Sequence, residues 1–347
     1  MEKKAMRGDF RSDNVAGIHP AIMAALATAN QGTAQPYGQD DSARALNARF
    51  SDVFEAEVTV FPVATGTAAN SFSLAACMRP YGGAYCHEGA HLRLSEGNSL
   101  AAWGHGAALV GLPGEVGRID PAALRQALAE APRGNTQKPQ PDAVTVTQAT
   151  ERGTVYGLDA LAAIGAVARE HGLVFHMDGA RFANAQAHLG CSAADMTSRV
   201  GVDLLSFGAT KNGAMSTDAL VVFRRDLVEP IAFTLRRAGQ TWSKMRFAAA
   251  QLQAYVEGEL HLDLARRANA RAAQLGHGLA RLPGVALLAP VEANIVFATL
   301  PPALIDALQA QGFGFYRRGP GEIRLVCRFD QPEEEVAALL QAARAAG

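Results

Sequence analysis

Three strand-like apolar runs in this chain each stop at a polar, glycine-bearing turn, and this pattern narrows the possible folds more than any other feature. Val58-Thr59-Val60-Phe61-Pro62-Val63 runs into Thr65-Gly66-Thr67 and then an alanine-rich, helix-like stretch from Ala68 to Met78. A second run, starting at Val174, ends in His176-Met177-Asp178-Gly179-Ala180-Arg181, and a third reaches Ser206-Phe207-Gly208-Ala209-Thr210-Lys211-Asn212-Gly213. Val144-Thr145-Val146-Thr147 is a further strand. After a turn at Gly153 it gives way to a helix on which Leu161, Ile164 and Ala168 share a face, and His171-Gly172 supplies the stop signal. Strands alternating with helices over the first two thirds predict an α/β fold. Such a fold has a mostly parallel sheet covered by helices and takes ligands at the carboxyl ends of its strands.

At 347 residues the chain is long enough for one large core and a smaller unit. Composition shifts near residue 240, where Arg236, Arg237, Lys244 and Arg246 lead into a polar, alanine-rich helix expected over roughly Ala248 to Leu279. We therefore expect a large domain over 1–245 and a small C-terminal α+β domain over 246–347. Strands are expected at Asn294 to Ala298 and Glu322 to Cys327, then a helix opened by Asp330 with Glu333 in capping-box position. Pro132 to Asp142 reads as a surface loop, and no internal repeat is visible.

A formal charge of −1 gives no electrostatic reason to expect nucleic acid or an anionic membrane as partner. The basic cluster at Arg236 to Arg246 is balanced by acidic residues elsewhere, so we read it as an interface or phosphate-facing region. No window approaches the about 18 apolar residues of a membrane span, and no apolar core follows Met1-Glu2-Lys3-Lys4. Cys77, Cys86, Cys191 and Cys327 are scattered without a C-x-x-C pair, as expected of thiols in a reducing, cytoplasmic setting.

The three polar turns together carry chemistry. Thr65-Gly66-Thr67 at a strand-to-helix junction offers free N–H groups and a helix dipole to a phosphate. Asp178 at a strand end offers a carboxylate to a pyridinium nitrogen, and Lys211 in a glycine-bearing loop offers an amine for a Schiff base. Each alone has an ordinary reading: a helix cap, a turn aspartate, a solvated lysine. Their joint occurrence points to pyridoxal 5′-phosphate (PLP). Arg181, three residues after Asp178, offers a bidentate fork for a substrate carboxylate, with a surface salt bridge as the equal alternative.

HMDGAR, SFGATKNG, TGTAAN, the opening Arg11-Ser12-Asp13-Asn14 and Pro36-Tyr37-Gly38 resemble stretches of the low-specificity L-threonine aldolases. These are fold type I PLP-dependent, transferase-like enzymes, and the likeness runs from about residue 10 to at least residue 330. It implies reversible cleavage of β-hydroxy-α-amino acids such as threonine, allo-threonine or phenylserine into glycine and an aldehyde. It also implies cofactor attachment at Lys211, a pyridine-nitrogen contact at Asp178, a phosphate cup at Gly66 and Thr67, and a ring-stacking histidine at His91. Ser12, Arg181 and Arg324 match the family's carboxylate contacts. Tyr37 matches a pocket completed by a neighbouring subunit, within a homotetramer built as a dimer of active dimers. The chain departs from the family in two places. Gln148-Ala149-Thr150-Glu151 stands where many members carry a run resembling ENTH, whose histidine is close to the substrate hydroxyl, and Gly239 to Arg246 replaces a glycine-rich stretch. The first candidate for the base at the hydroxyl is His91, with stacking as an equal explanation of that residue, and Glu96 and Glu151 are lesser candidates.

Other readings compete. His87-Glu88-Gly89-Ala90-His91 matches the zinc-protease signature H-E-x-x-H, with Glu115 or His105 as a possible third ligand, but Gly82-Gly83 and Gly89 weaken the helix it needs. It also leaves Asp178 and Lys211 unexplained, so no metal is expected. β-Elimination, racemisation and transamination remain possible on the same fold, and a non-catalytic PLP-fold protein is the remaining, weaker alternative. Neither G-x-G-x-x-G at a strand end nor G-x-x-x-x-G-K-[ST] occurs, which removes dehydrogenase and NTPase readings.

Overall fold

The computed structural model describes residues 6–346, so Met1-Glu2-Lys3-Lys4 lies outside the described residues. Seven strands build the main sheet: β1 (Thr59–Val63), β2 (Gly82–His87), β3 (Ala108–Leu112), β4 (Gln140–Thr147), β5 (Val174–Gly179), β6 (Leu204–Phe207) and β7 (Asp218–Val222). Their order across the sheet is β1-β7-β6-β5-β4-β2-β3. Only β7 runs against its neighbours, pairing antiparallel with both β1 and β6, so the sheet is mostly parallel, as expected, with one reversed strand that makes it mixed. All six residues of β5 are buried, as they are for a strand covered on both faces.

Register decides which turns meet. Thr147 pairs with Asp178, and Asp178 with Ser206, so β4, β5 and β6 end level with one another. Because β7 is reversed, its first residue, Asp218, pairs with Val63 at the end of β1 and joins the same edge. The helix Gly66–Cys77 starts there, capped by Thr65, whose side chain accepts from the Ala68 N–H.

The polar, alanine-rich helix expected over 248–279 is two helices, Arg246–Val256 and Leu260–Leu279. Gly258 (φ 53°) and Glu259 (φ 59°) are left-handed, a conformation that ends a right-handed helix. Ala249, Leu252 and Tyr255 of the first helix pack into the large core with Phe50, Phe54 and Phe207. Ala272, Leu275 and Leu279 of the second pack into a smaller core under the sheet formed by Ala286–Leu287, Ile295–Thr299, Glu322–Val326 and Tyr316–Arg317. The chain's first strand, Gly8–Asp9, pairs in parallel with Phe313–Gly314 of this smaller unit, which also buries Phe10 completely. The expected loop from Pro132 to Asp142 is shortened, because β4 already begins at Gln140 and Asp142 is buried against Arg79. No helix among the described residues is long and apolar enough to cross a membrane, and all four cysteines are free thiols.

Candidate active site

The level strand ends enclose a cavity of about 300 Å³ whose walls include Gly66, Thr67, His91, Asp178 and Lys211. Five residues singled out in the sequence, on segments up to 145 positions apart, thus meet in one space. Gly66 and Thr67 occupy the first turn of a helix, where N–H groups have no intrahelical acceptor. Lys211 sits in a short 3-10 turn, Thr210–Asn212. The turn is positioned by Asp218, whose Oδ1 accepts from the N–H groups of Ala209 (2.8 Å) and Thr210 (3.0 Å).

Asp178 is buried, 4% exposed, and both its oxygens are held. Oδ1 accepts from the Ala180 N–H at 3.0 Å and Oδ2 from Asn70 Nδ2 at 3.0 Å. The same Asn70 nitrogen donates to Glu96 Oε1 at 2.9 Å, and His91 Nδ1 lies 2.8 Å from that oxygen. A hydrogen-bonded chain therefore runs from His91 through Glu96 and Asn70 to Asp178. Asn70 was visible in the sequence only as part of the TGTAAN run, since nothing in its spacing reveals a partner more than 100 positions away.

A second cavity of about 370 Å³ adjoins the first across His91 and is lined by Glu151, Arg152, Arg318 and Arg324 among others. Arg324 Nη2 donates to the Arg11 carbonyl at 3.2 Å, whereas its Nε is buried without a partner. Burial, with Arg181 and Arg318 nearby, lowers the proton affinity of this guanidinium from its ordinary value, an environment that an anion would relieve.

Other expected site residues lie elsewhere. Arg181 is not on the wall of either cavity: its fork grips the buried Asp13 at 2.8 and 3.1 Å, and Asn294 donates to the same carboxylate at 3.2 Å. Burial raises the Asp13 pKa, but the charges of Arg181 and Lys211 outweigh it and hold it below the usual carboxylate value. Ser12 caps the turn Asp13–Val15 through its hydroxyl, which accepts from the Asn14 N–H at 3.2 Å. Tyr37 is 48% exposed, carries Arg236 over its ring at 5.1 Å and lines neither cavity. His87 ends β2 and His91 opens a four-residue helix, so the H-E-x-x-H pair is not on one helical face.

A helix start with free N–H groups, an acidic residue at a strand end and a lysine turn, set on this mixed sheet with a small C-terminal sheet, belong to the fold of the fold type I PLP enzymes. An aspartate aminotransferase of Thermus thermophilus shares the fold, with a TM-score of 0.72 at 18% identity over 96% of this chain and 89% of that one. The chain belongs to the beta-eliminating lyase family, whose model matches residues 9–301, and within it to the low-specificity L-threonine aldolases. A low specificity L-threonine aldolase of Pseudomonas aeruginosa is 43% identical over 95% of both chains, and one of a Pseudomonas species is 40% identical over 97% of both. A threonine aldolase of Leishmania major superposes with a TM-score of 0.91 at 26% identity, covering 97% of this chain and 99% of that one.

Proposed function

We propose that this chain binds PLP at the strand ends and, as an L-threonine aldolase, reversibly splits L-threonine, L-allo-threonine and related β-hydroxy-α-amino acids into glycine and an aldehyde. The observation that carries the reading is the meeting of Gly66-Thr67, Asp178 and Lys211 on one cavity. Their donor set fits the cofactor group by group. The helix start takes the phosphate, and Asp178, held by Asn70 and Ala180, keeps a proton on the ring nitrogen. Lys211 supplies the amine that holds the cofactor and gives way to substrate. Bound there, PLP supplies an electron sink for negative charge at the amino acid's α-carbon.

The remaining residues orient the substrate. Arg324, with an unpartnered buried Nε, takes the α-carboxylate and so points the β-carbon toward the wall that His91 and Glu151 share. Arg181 acts through Asp13, holding the N-terminal segment that also presents Ser12 and Asn14. Tyr37, exposed and left-handed at φ 59°, supports assembly as a dimer of active dimers in which this residue serves a neighbouring copy. A fully active monomer in gel filtration would overturn that assembly.

The test is a visible spectrum of the purified protein followed by addition of L-threonine. Glycine and acetaldehyde in equal amounts are expected, whereas ammonia with an oxo acid would assign the β-elimination in the family's name. Lys211→Ala is expected to lose borohydride-trapped cofactor together with turnover. Retention of trapped cofactor in that variant would move the attachment elsewhere.

A further inference from the structure

Glu151, on the wall of the second cavity, is in an unusual state. Its Oε1 accepts the His91 N–H at 2.6 Å and the Thr147 hydroxyl at 2.9 Å, whereas Oε2 is shielded from water and has no partner. The residue lines the cavity that contains Arg324, on the side where His91 borders the cofactor cavity. A carboxyl oxygen left unpaired in a desolvated wall costs free energy unless a proton or a hydroxyl arrives to satisfy it. The imidazole of His91 has Nδ1 2.8 Å from Glu96 Oε1, a contact that orients the ring on the wall of the cofactor cavity.

We propose that Glu151, and not His91, is the catalytic residue that exchanges a proton with the substrate's β-hydroxyl, its Oε2 acting as base in cleavage and as acid in synthesis. The inference rests on the aldolase reading. In cleavage the hydroxyl proton passes to Oε2 and the O–H electron pair becomes the second bond of the aldehyde carbonyl. The Cα–Cβ bond breaks, and its pair stays on Cα until a proton completes glycine. After the aldehyde leaves, Glu151 returns its proton to water, so the cycle needs no oxidant or reductant. Burial, and then the charge of Asp178, raise the proton affinity of Glu151 above that of an ordinary glutamate, which strengthens it as a base. The other groups around it are Cys86 on β2, Tyr156 beyond β4, and His87, Arg152, Arg318, Glu322 and Arg324 across the second cavity. The chain thus places a carboxylate where the sequence departs from the ENTH-like run at Gln148-Ala149-Thr150-Glu151.

The experiment compares the PLP-loaded enzyme with its Glu151→Gln variant, which keeps the side chain's shape and an oxygen for the Thr147 and His91 donors. For each, L-threonine cleavage is measured alongside exchange of the glycine α-proton with deuterated water, followed by proton NMR. That exchange uses the cofactor, Lys211 and the carboxylate contact but involves no β-hydroxyl. Expected for the variant are a kcat for cleavage lower by about 100-fold or more, a KM within a few-fold, and an unchanged visible band and exchange rate. Cleavage within about threefold of the parent enzyme would overturn the proposal, and so would a parallel loss of exchange, which marks a merely structural role. If the variant fails to fold or to take PLP, the parent enzyme decides through the temperature dependence of the acid limb of kcat/KM. A small heat of ionisation assigns a carboxyl, and the larger heat of an imidazole overturns the proposal. Absence of glycine and acetaldehyde from the parent enzyme overturns the aldolase reading itself, an outcome distinct from failure of Glu151 alone.

Discussion

Arg181 shows how one side chain changes meaning between sequence and structure. Three residues beyond Asp178 it reads as a free fork for a substrate carboxylate, yet its partner is Asp13, 168 positions earlier and 2% exposed. Removing the guanidinium leaves that buried carboxylate with Asn294 as its remaining side-chain donor and only the Lys211 charge nearby, so Arg181→Ala is expected to destabilise the protein by about 3 kcal/mol, read as a fall in the urea midpoint. Adding Asp13→Asn to the same chain should recover part of the loss, since the orphaned charge is then gone. An Arg181→Ala chain as stable as its parent, with only KM raised, would return the residue to the substrate clamp. Lys211, Asp178, Gly66 and Thr67 were legible as a group because each sits at or within a few residues of a strand's end, on the edge where such folds take ligands. Asn70, Glu96 and Asp218 were not assigned this supporting role, because their work is to hold those residues, and such partners are chosen by tertiary contact.

At the scale of elements, the helix Leu158–His171 illustrates both what periodicity conveys and what it omits. Its buried face, Leu161, Ile164 and Ala168, is the one the spacing predicts, and Gly172 ends it in the left-handed conformation at φ 61°. Gly165, on the same buried side, lies so close to the Val200 carbonyl that an added Cβ would overlap it. Gly165→Ala is therefore expected to cost about 1–3 kcal/mol, despite alanine's better helix propensity, because the helix must lift from the turn Ser198–Val200. Gly17→Ala, where nothing lies within 4 Å, should stay within about 0.5 kcal/mol of the parent in the same thermal or urea series. A neutral Gly165→Ala would show that the contact yields. The helix pair at 246–279 makes the complementary point: polar and alanine residues recur at helical spacing across the break, so the pattern alone reads as one long rod.

For the whole molecule, two buried histidines tie folding to pH. His176, on β5 between Thr145 (2.7 Å) and Ser206 (3.2 Å), and His261, at the start of the helix Leu260–Leu279, are each pushed down to about 4 by burial. Between the unfolded value of 6.5 and about 4, the unfolded chain binds protons that the folded chain refuses. Stability should therefore be full above pH 6.5 and fall as pH drops through this window, each histidine contributing up to about 1.4 kcal/mol per pH unit. Urea midpoints at several pH values across the window measure it, and a flat profile would show that these imidazoles are protonated in the fold. The sequence by itself determined the class of fold and the strand-ended motifs whose residues meet on the candidate cavity, since hydrophobic period and turn chemistry are local properties of the chain. Tertiary structure alone decided that β7 runs backward to bring Asp218 to the lysine turn, that Asp13 fills the fork of Arg181, and that Glu151 and Arg324 line one second cavity. These outcomes depend on register and on which buried charge finds which partner, and such long-range choices are made by desolvation and packing once distant segments meet.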